Sequence, residues 1–254
     1  MARRHNRRRR RRGSLGPLLR VLSVLLTAVA IVAALTLFFK VDQVAVSGNE
    51  RYSEQEIIEA SGVEQGDNLI LLDKYRIAQR LYTQLPYISE VRINRQLPDT
   101  LLVEVVETQA VAVIKGGSSN WLLDSEGKLL EVIGSAAIKN YLSIEGTTAQ
   151  DPAISGTLQL AQESPLSAER LLELLGELER RGMLEKTSSL DVSDPEHLTL
   201  SYDGRFQVEM FYDADFAYKL NCLQEAVARL EPNETGIIRM TLKDDNEVRF
   251  IPSA

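Results

Sequence analysis

Tyr87-Ile88-Ser89-Glu90-Val91-Arg92-Ile93-Asn94-Arg95-Gln96-Leu97-Pro98-Asp99-Thr100-Leu101-Leu102-Val103-Glu104-Val105 reads as two strands and the turn that joins them. Alternation puts Val91 and Ile93 on one face of the first strand, Tyr87–Arg95. Leu101, Val103 and Val105 line one face of the second, with Glu104 pointing away. Leu97-Pro98-Asp99-Thr100 has the residue types of a tight turn. Upstream, Ile77, Leu81 and Leu85 recur every four residues after Asp73 and stop at Pro86, a helix with its end marked. Ser53-Glu54-Gln55-Glu56 is a capping box, Ile57 and Ile58 open an apolar face, and Gly62 supplies a stop. Between the helices, Gly66-Asp67-Asn68 reads as a turn and Leu69-Ile70-Leu71-Leu72 as a buried approach segment. Val41–Val46 reads as a strand meeting the turn Ser47-Gly48-Asn49. The order is β-α-α-β-β over 41–108, with a core of strand faces against Ile57, Ile58, Ile77 and Leu81.

What precedes this unit sets its location. Eight arginines lie between Arg3 and Arg12, Arg20 follows, and Val21–Phe39 carries no charge before Lys40. At a rise of about 1.5 Å per residue such a run spans roughly 28 Å, close to a bilayer's hydrocarbon thickness. The expectation is a disordered basic tail at 1–20 facing the cytoplasm, one transmembrane helix at 21–39, and the bulk of the chain outside the plasma membrane. A cleaved signal peptide is the alternative. Its apolar core would be shorter, and the one Ala-x-Ala match, Ala28-Val29-Ala30, falls mid-run. The net charge of −7 conceals an asymmetry: residues 1–40 carry +10 and no acid, leaving −17 for the remainder. Arginines beside a membrane span sit against anionic lipid headgroups in preference to nucleic acid.

Beyond residue 108, Gln109–Ile114, Asn120–Asp124, Lys128–Val132 and Tyr141–Ile144 read as strands. Gly116-Gly117-Ser118-Ser119 and Ser125-Glu126-Gly127 are turns, and Ala149–Gly156 is a loop. Ser164-Pro165 signals a helix start, Leu171, Leu174, Leu175 and Leu178 give its apolar face, and Gly182 closes it. Ser189–Ser193, Leu198–Tyr202 and Arg205–Phe211 follow as strands, the last two joined by Asp203-Gly204. Phe216, Leu220, Leu223, Val227 and Leu230 mark the clearest helix, ended before Pro232. Ile237–Leu242 and Val248–Ile251 close the chain as a strand pair around Lys243-Asp244-Asp245-Asn246. The fold class is α+β: the 41–108 unit, then a larger mixed α/β-sheet domain at 109–254.

Chemistry finds no foothold. One cysteine, Cys222, excludes an internal disulfide and a cysteine-based zinc site, and its place on the late helix reads as a buried structural thiol. Two histidines, His5 and His197, offer no metal-ligand spacing, and Asp194-Pro195-Glu196-His197 reads as a solvated loop. No nucleophile elbow, S-x-x-K pair or phosphate loop occurs. The expectation is a binding protein with no catalytic, cofactor or metal site. The proline-free apolar stretch Ile237, Ile238, Arg239, Met240, Thr241 and Leu242, helped by Val248 and Phe250, is the candidate surface for strand addition.

Val44–Asn49, Leu85-Pro86-Tyr87-Ile88 and above all Arg92–Leu101 resemble the POTRA domain of the FtsQ/DivIB cell-division family. Trp121–Gly127, Leu198–Arg205, Lys219-Leu220 and Gly236–Leu242 resemble that family's β domain. Phe211-Tyr212-Asp213 stands where the family often has Leu-Gly. The resemblance implies a non-enzymatic divisome scaffold at the septum, recruiting FtsB/DivIC-like and FtsL-like bitopic membrane proteins through the end of the β domain. The alternative is an anchored POTRA module for export or envelope assembly without a division role. An anchored cell-wall hydrolase lacks the residues.

Overall fold

The computed structural model describes residues 16–241 and 248–253. The basic tail up to residue 15, Leu242 and the turn 243–246 lie outside the described residues. Helix α1 runs Gly16–Phe38 over the stretch expected to span the membrane. Among the described residues no helix is long and apolar enough to cross a membrane.

The first sheet is built from β1 (Gln43–Ser47), α2 (Glu54–Ser61), α3 (Lys74–Gln84), β2 (Ile88–Gln96) and β3 (Thr100–Glu107). Its strand order is β1-β3-β2, with β1 parallel and β2 antiparallel to β3. The helices start and stop where the chain supplies the caps. Ser53 Oγ accepts the Glu56 amide at 3.3 Å while Glu56 Oε2 accepts the Ser53 amide at 2.8 Å. Gly62 ends α2 at φ +64, where an added Cβ would strike the Arg80 guanidinium. Asp73 caps α3 by accepting the Tyr75 and Arg76 amides. Val103 and Leu101 are fully buried against Ile57, Ile77 and Leu81. Ile58 differs from expectation: it is only half-buried, and Ala60 takes the inward position. The expected buried segment Leu69–Leu72 is also split. Leu69 is buried, whereas Ile70 and Leu71 are exposed.

The second sheet has nine strands in the order β12-β11-β10-β9-β8-β7-β4-β5-β6. In chain order these are β4 (Ala112–Gly116), β5 (Ser119–Leu123), β6 (Leu129–Ile133), β7 (Leu142–Glu145), α4 (Ala168–Arg180), β8 (Thr187–Asp191), β9 (His197–Tyr202), β10 (Phe206–Phe211), α5 (Phe216–Arg229), β11 (Gly236–Arg239) and β12 (Arg249–Pro252). Helices α4 and α5 pack together, and their Leu171, Leu174, Leu175, Leu178, Phe216, Leu220 and Leu223 join one buried cluster with the inward strand residues. Helix α4 starts later than Ser164-Pro165 suggested. The Ser164 hydroxyl donates to the Leu166 carbonyl, Leu166 is buried, and Ser167 is the cap that accepts the Arg170 amide. Strand β8 sits two residues earlier than expected because Asp191 Oδ1 turns the chain by accepting the Ser193 amide at 2.8 Å. Cys222 lies on α5 as expected but is half-buried, not fully enclosed.

Val103→Asp places a carboxylate where no water or partner reaches, at a cost of several kcal/mol, comparable to a small domain's stability. Asp99→Asn keeps the oxygen that accepts the Thr100 hydroxyl. Circular dichroism melts of the purified chain should show the first unfolded in its N-terminal sheet and the second near wild type. Equal tolerance of both would overturn the strand register.

Candidate strand-addition edge

The surface at the C-terminal end is set by how β11 pairs. Strand β10, helix α5 and β11 form a crossover, so β11 returns parallel to β10, with Phe206 opposite Gly236 and Glu209 opposite Arg239. The Gly236 amide donates to the Arg205 carbonyl at 3.1 Å and the Met240 amide to the Glu209 carbonyl at 2.9 Å. Amides of 236, 238 and 240 therefore face β10, and those of 237 and 239 face the other way. That other side is taken by β12, antiparallel, with Ile237 opposite Ile251 and Arg239 opposite Arg249.

In the structure the expected strand-addition stretch does not form the sheet edge. Strand β11 is an inner strand paired on both sides, and its regular pairing ends at Arg239. Met240 is fully buried, Thr241 is outside the strand, and Leu242 lies outside the described residues. Among the described residues the edge at this end of the sheet belongs to β12. The Ser253 amide donates to the Thr235 carbonyl at 2.8 Å. By the alternation of an antiparallel ladder, residues 249, 251 and 253 bond to β11, and Phe250 presents both its N–H and C=O outward. Pro252 presents a carbonyl only. Val248 and Phe250, both expected here, pack onto the main core, with the Phe250 ring 6.1 Å from Phe206 in an edge-to-face pair.

Arg249, Ile251 and Pro252 belong to the edge strand and lie outside the expected set. The signal was present: strand, helix and strand in the order 205–242 form a crossover unit, which places its second strand beside the first and leaves the following strand outermost. On the outer face, Arg239 Nε donates to Glu209 Oε2 at 2.6 Å, and that carboxylate holds the guanidinium above its ordinary pKa. Asp194 accepts the Glu196 and His197 amides, which draw its carboxyl below the usual range with help from the His197 ring 3.0 Å away. That closes a polar turn. Among the described residues no group of three histidine, cysteine or carboxylate side chains is placed to hold a metal. The Phe211-Tyr212-Asp213 turn is held by the Arg170 guanidinium on the Tyr212 and Ala214 carbonyls, and by the Tyr212 hydroxyl on the Asp194 carbonyl at 2.5 Å. Burial pushes that hydroxyl up to about 12.

The three-stranded β-α-α-β-β unit is followed by a large mixed sheet with β12 at one edge. Residues 39–108 match the family described as POTRA domain, FtsQ-type. The chain is similar in sequence to cell division proteins named FtsQ and DivIB. It is 31% identical over 118 residues to the cell division protein FtsQ of Corynebacterium glutamicum, covering 46% of this chain and 52% of that one. It is 29% identical over 161 residues to DivIB of Clostridium acetobutylicum, covering 63% and 61%. It is 28% identical over 233 residues to FtsQ of Syntrophotalea carbinolica, covering 88% and 79%. The chain thus spans between half and two thirds of the first two relatives. The extracytoplasmic domain of DivIB from Geobacillus stearothermophilus aligns over 97% of its own chain and 50% of this one, at 16% identity and a TM-score of 0.30, too low to add to the fold.

Met240→Pro removes the amide that donates to Glu209 and disturbs a buried side chain, a loss of about 3 kcal/mol or more. Met240→Leu should cost under about 1.5 kcal/mol. Equal chemical denaturation midpoints for the two would show that β11 is not an inner strand.

Proposed function

We propose that this chain is a non-enzymatic scaffold of the division septum, held in the plasma membrane by α1, that recruits FtsB/DivIC-like and FtsL-like bitopic proteins by strand addition along β12. The observation that carries the reading is the free β12 edge, whose Phe250 N–H and C=O face outward on a strand seated over an apolar core. The names of the relatives, all cell division proteins, support the septal role. The anchor is supported by the apolar side chains of α1, which no described residue covers: Val21 is 69% exposed, Leu25 61% and Ile31 56%. The uncharged run continues to Phe39. The N-terminal arginines keep that end in the cytoplasm against anionic headgroups.

Two substitutions at one position isolate the backbone contact. Phe250→Ala removes the ring and keeps the outward N–H, whereas Phe250→Pro removes both. Co-purification of the bitopic partners should fall with Phe250→Ala and be abolished with Phe250→Pro. Equal retention in both would place the interface elsewhere. A fluorescent fusion to the wild-type chain should concentrate at midcell, and uniform labelling of the envelope would favour the export or envelope-assembly module instead. In a Cys222→Ser background, Ser14→Cys should resist an impermeant thiol reagent in intact cells while Ser253→Cys reacts.

A further inference from the structure

The exit of α1 is ringed by apolar side chains that the fold does not use. Of nine large apolar residues left exposed beyond α1 among the described residues, four sit at this end of the first sheet: Ile70 at 40%, Leu71 at 74%, Tyr75 at 90% and Leu97 at 59%. They come from three places in the chain, the 68–72 loop, the first turn of α3 and the β2–β3 turn.

Backbone hydrogen bonds tie the two loops to the residues that follow α1. The Leu69 amide donates to the Phe39 carbonyl at 2.9 Å, and Lys40 bridges Asn68. The Val41 amide donates to the Asp67 carbonyl, and the Asp42 amide to the Asp99 carbonyl, both at 2.8 Å. The tip is shaped as well as tethered. Asn68 Oδ1 accepts the Ile70 and Leu71 amides, holding a turn that turns both side chains out. The Arg95 guanidinium donates to the Leu72 carbonyl at 2.6 Å and closes the loop from the sheet side.

We infer that Ile70, Leu71 and Leu97, with Tyr75 beside them, form an apolar tip that docks into the interfacial layer of the bilayer entered by α1. This rests on the anchor reading above. With α1 in the membrane, Phe38 and Phe39 stand at the bilayer surface. Loops bonded to residues 39–42 then stand there too. Apolar side chains on such a surface settle roughly 5–10 Å into the headgroup boundary. An amphipathic tyrosine suits the same layer. Charge does not drive the contact. Lys40, Lys74, Arg76 and Arg95 are matched at this end by Asp42, Asp67, Asp73 and Asp99. The occupant is therefore the apolar interface of any bilayer, not an anionic headgroup. Docking fixes the height and tilt of the first sheet over the membrane.

The test uses the full chain in vesicles with a Cys222→Ser background. An environment-sensitive dye is placed in turn on Leu71→Cys, Leu97→Cys, Val29→Cys within α1, and Ile154→Cys on the second sheet's domain. Each is quenched separately by shallow spin-labelled lipid, by deep spin-labelled lipid that reaches position 29, and by aqueous iodide. The expected result is lipid quenching with loss of iodide quenching at 71 and 97, equal in phosphatidylcholine and phosphatidylglycerol-containing vesicles, and the reverse at 154. Lipid quenching at 29 with 71 and 97 behaving like 154 overturns the docking tip and leaves the anchor standing. Absence of lipid quenching at 29 overturns the anchor reading and the tip with it. Quenching at 71 confined to anionic vesicles overturns docking by apolar insertion.

Discussion

The parallel pairing of β10 with β11 decides what the C-terminal end can do. A strand-helix-strand unit must bring its second strand back beside the first with helix α5 on one face. That return buries Ile238 and Met240 beneath α5 and spends the 236, 238 and 240 amides on β10. The opposite amides of β11 then need a partner, because unpaired backbone groups are costly. Strand β12 supplies it, and the cost moves outward to Phe250. An edge cannot be removed from an open sheet, only transferred to the next strand. Proline at 252 limits that edge by deleting one donor, which leaves it short.

The two sheets meet at a joint with its own small core. Tyr87 at the start of β2 packs with Val113, Leu122 and Leu130 on the face of the second sheet away from α4 and α5. Its hydroxyl donates to Glu131 Oε1 at 2.7 Å, and the Arg51 guanidinium lies 3.6 Å above its ring. Burial, and then the carboxylate, hold this hydroxyl well above the usual tyrosine range, so it stays a donor throughout the physiological range. Lys128 donates to the Ile88 carbonyl at 2.7 Å, and partial burial lowers its pKa. These contacts combine apolar area with directional bonds, so the joint specifies one seating.

How much of this the residues disclosed depended on range. Local signals read correctly. The Ser53/Glu56 box, the Gly62 stop, the Asp73 start and the Asp203-Gly204 turn, both at positive φ, each involve residues within four positions of one another. The late helix is legible because its five apolar residues recur at alternating intervals of four and three. Errors arose where a distant partner settled the outcome. Ser164-Pro165 is a sound local start signal, but burial of Leu166 delays the helix to Ser167. Leu69–Leu72 looks uniformly apolar, yet only Leu69 reaches the core. The inner position of β11 is a property of sheet order, which residue pattern alone does not encode; only the crossover rule reaches it.

The short edge also argues for why the scaffold proposed above would need an anchor. Phe250 offers one donor and one acceptor, and Pro252 one further acceptor. At about 1 kcal/mol net for each, three backbone bonds supply about 3 kcal/mol, weaker than the about 4 kcal/mol that corresponds to a millimolar dissociation constant. Apolar side chains of an added strand, seated beside Val248 and Phe250, contribute more, but over only four residues of β12. Confinement changes the balance. Two chains held in one membrane with their binding surfaces at matched height meet at an effective concentration in the millimolar range. A modest edge then suffices, and an edge no stronger than this stays unoccupied by strands that are not held beside it. In the proposed scaffold, the height of the first sheet, the single seating of the joint and the short β12 edge would serve one end: specificity carried by where the edge is held as much as by what it binds.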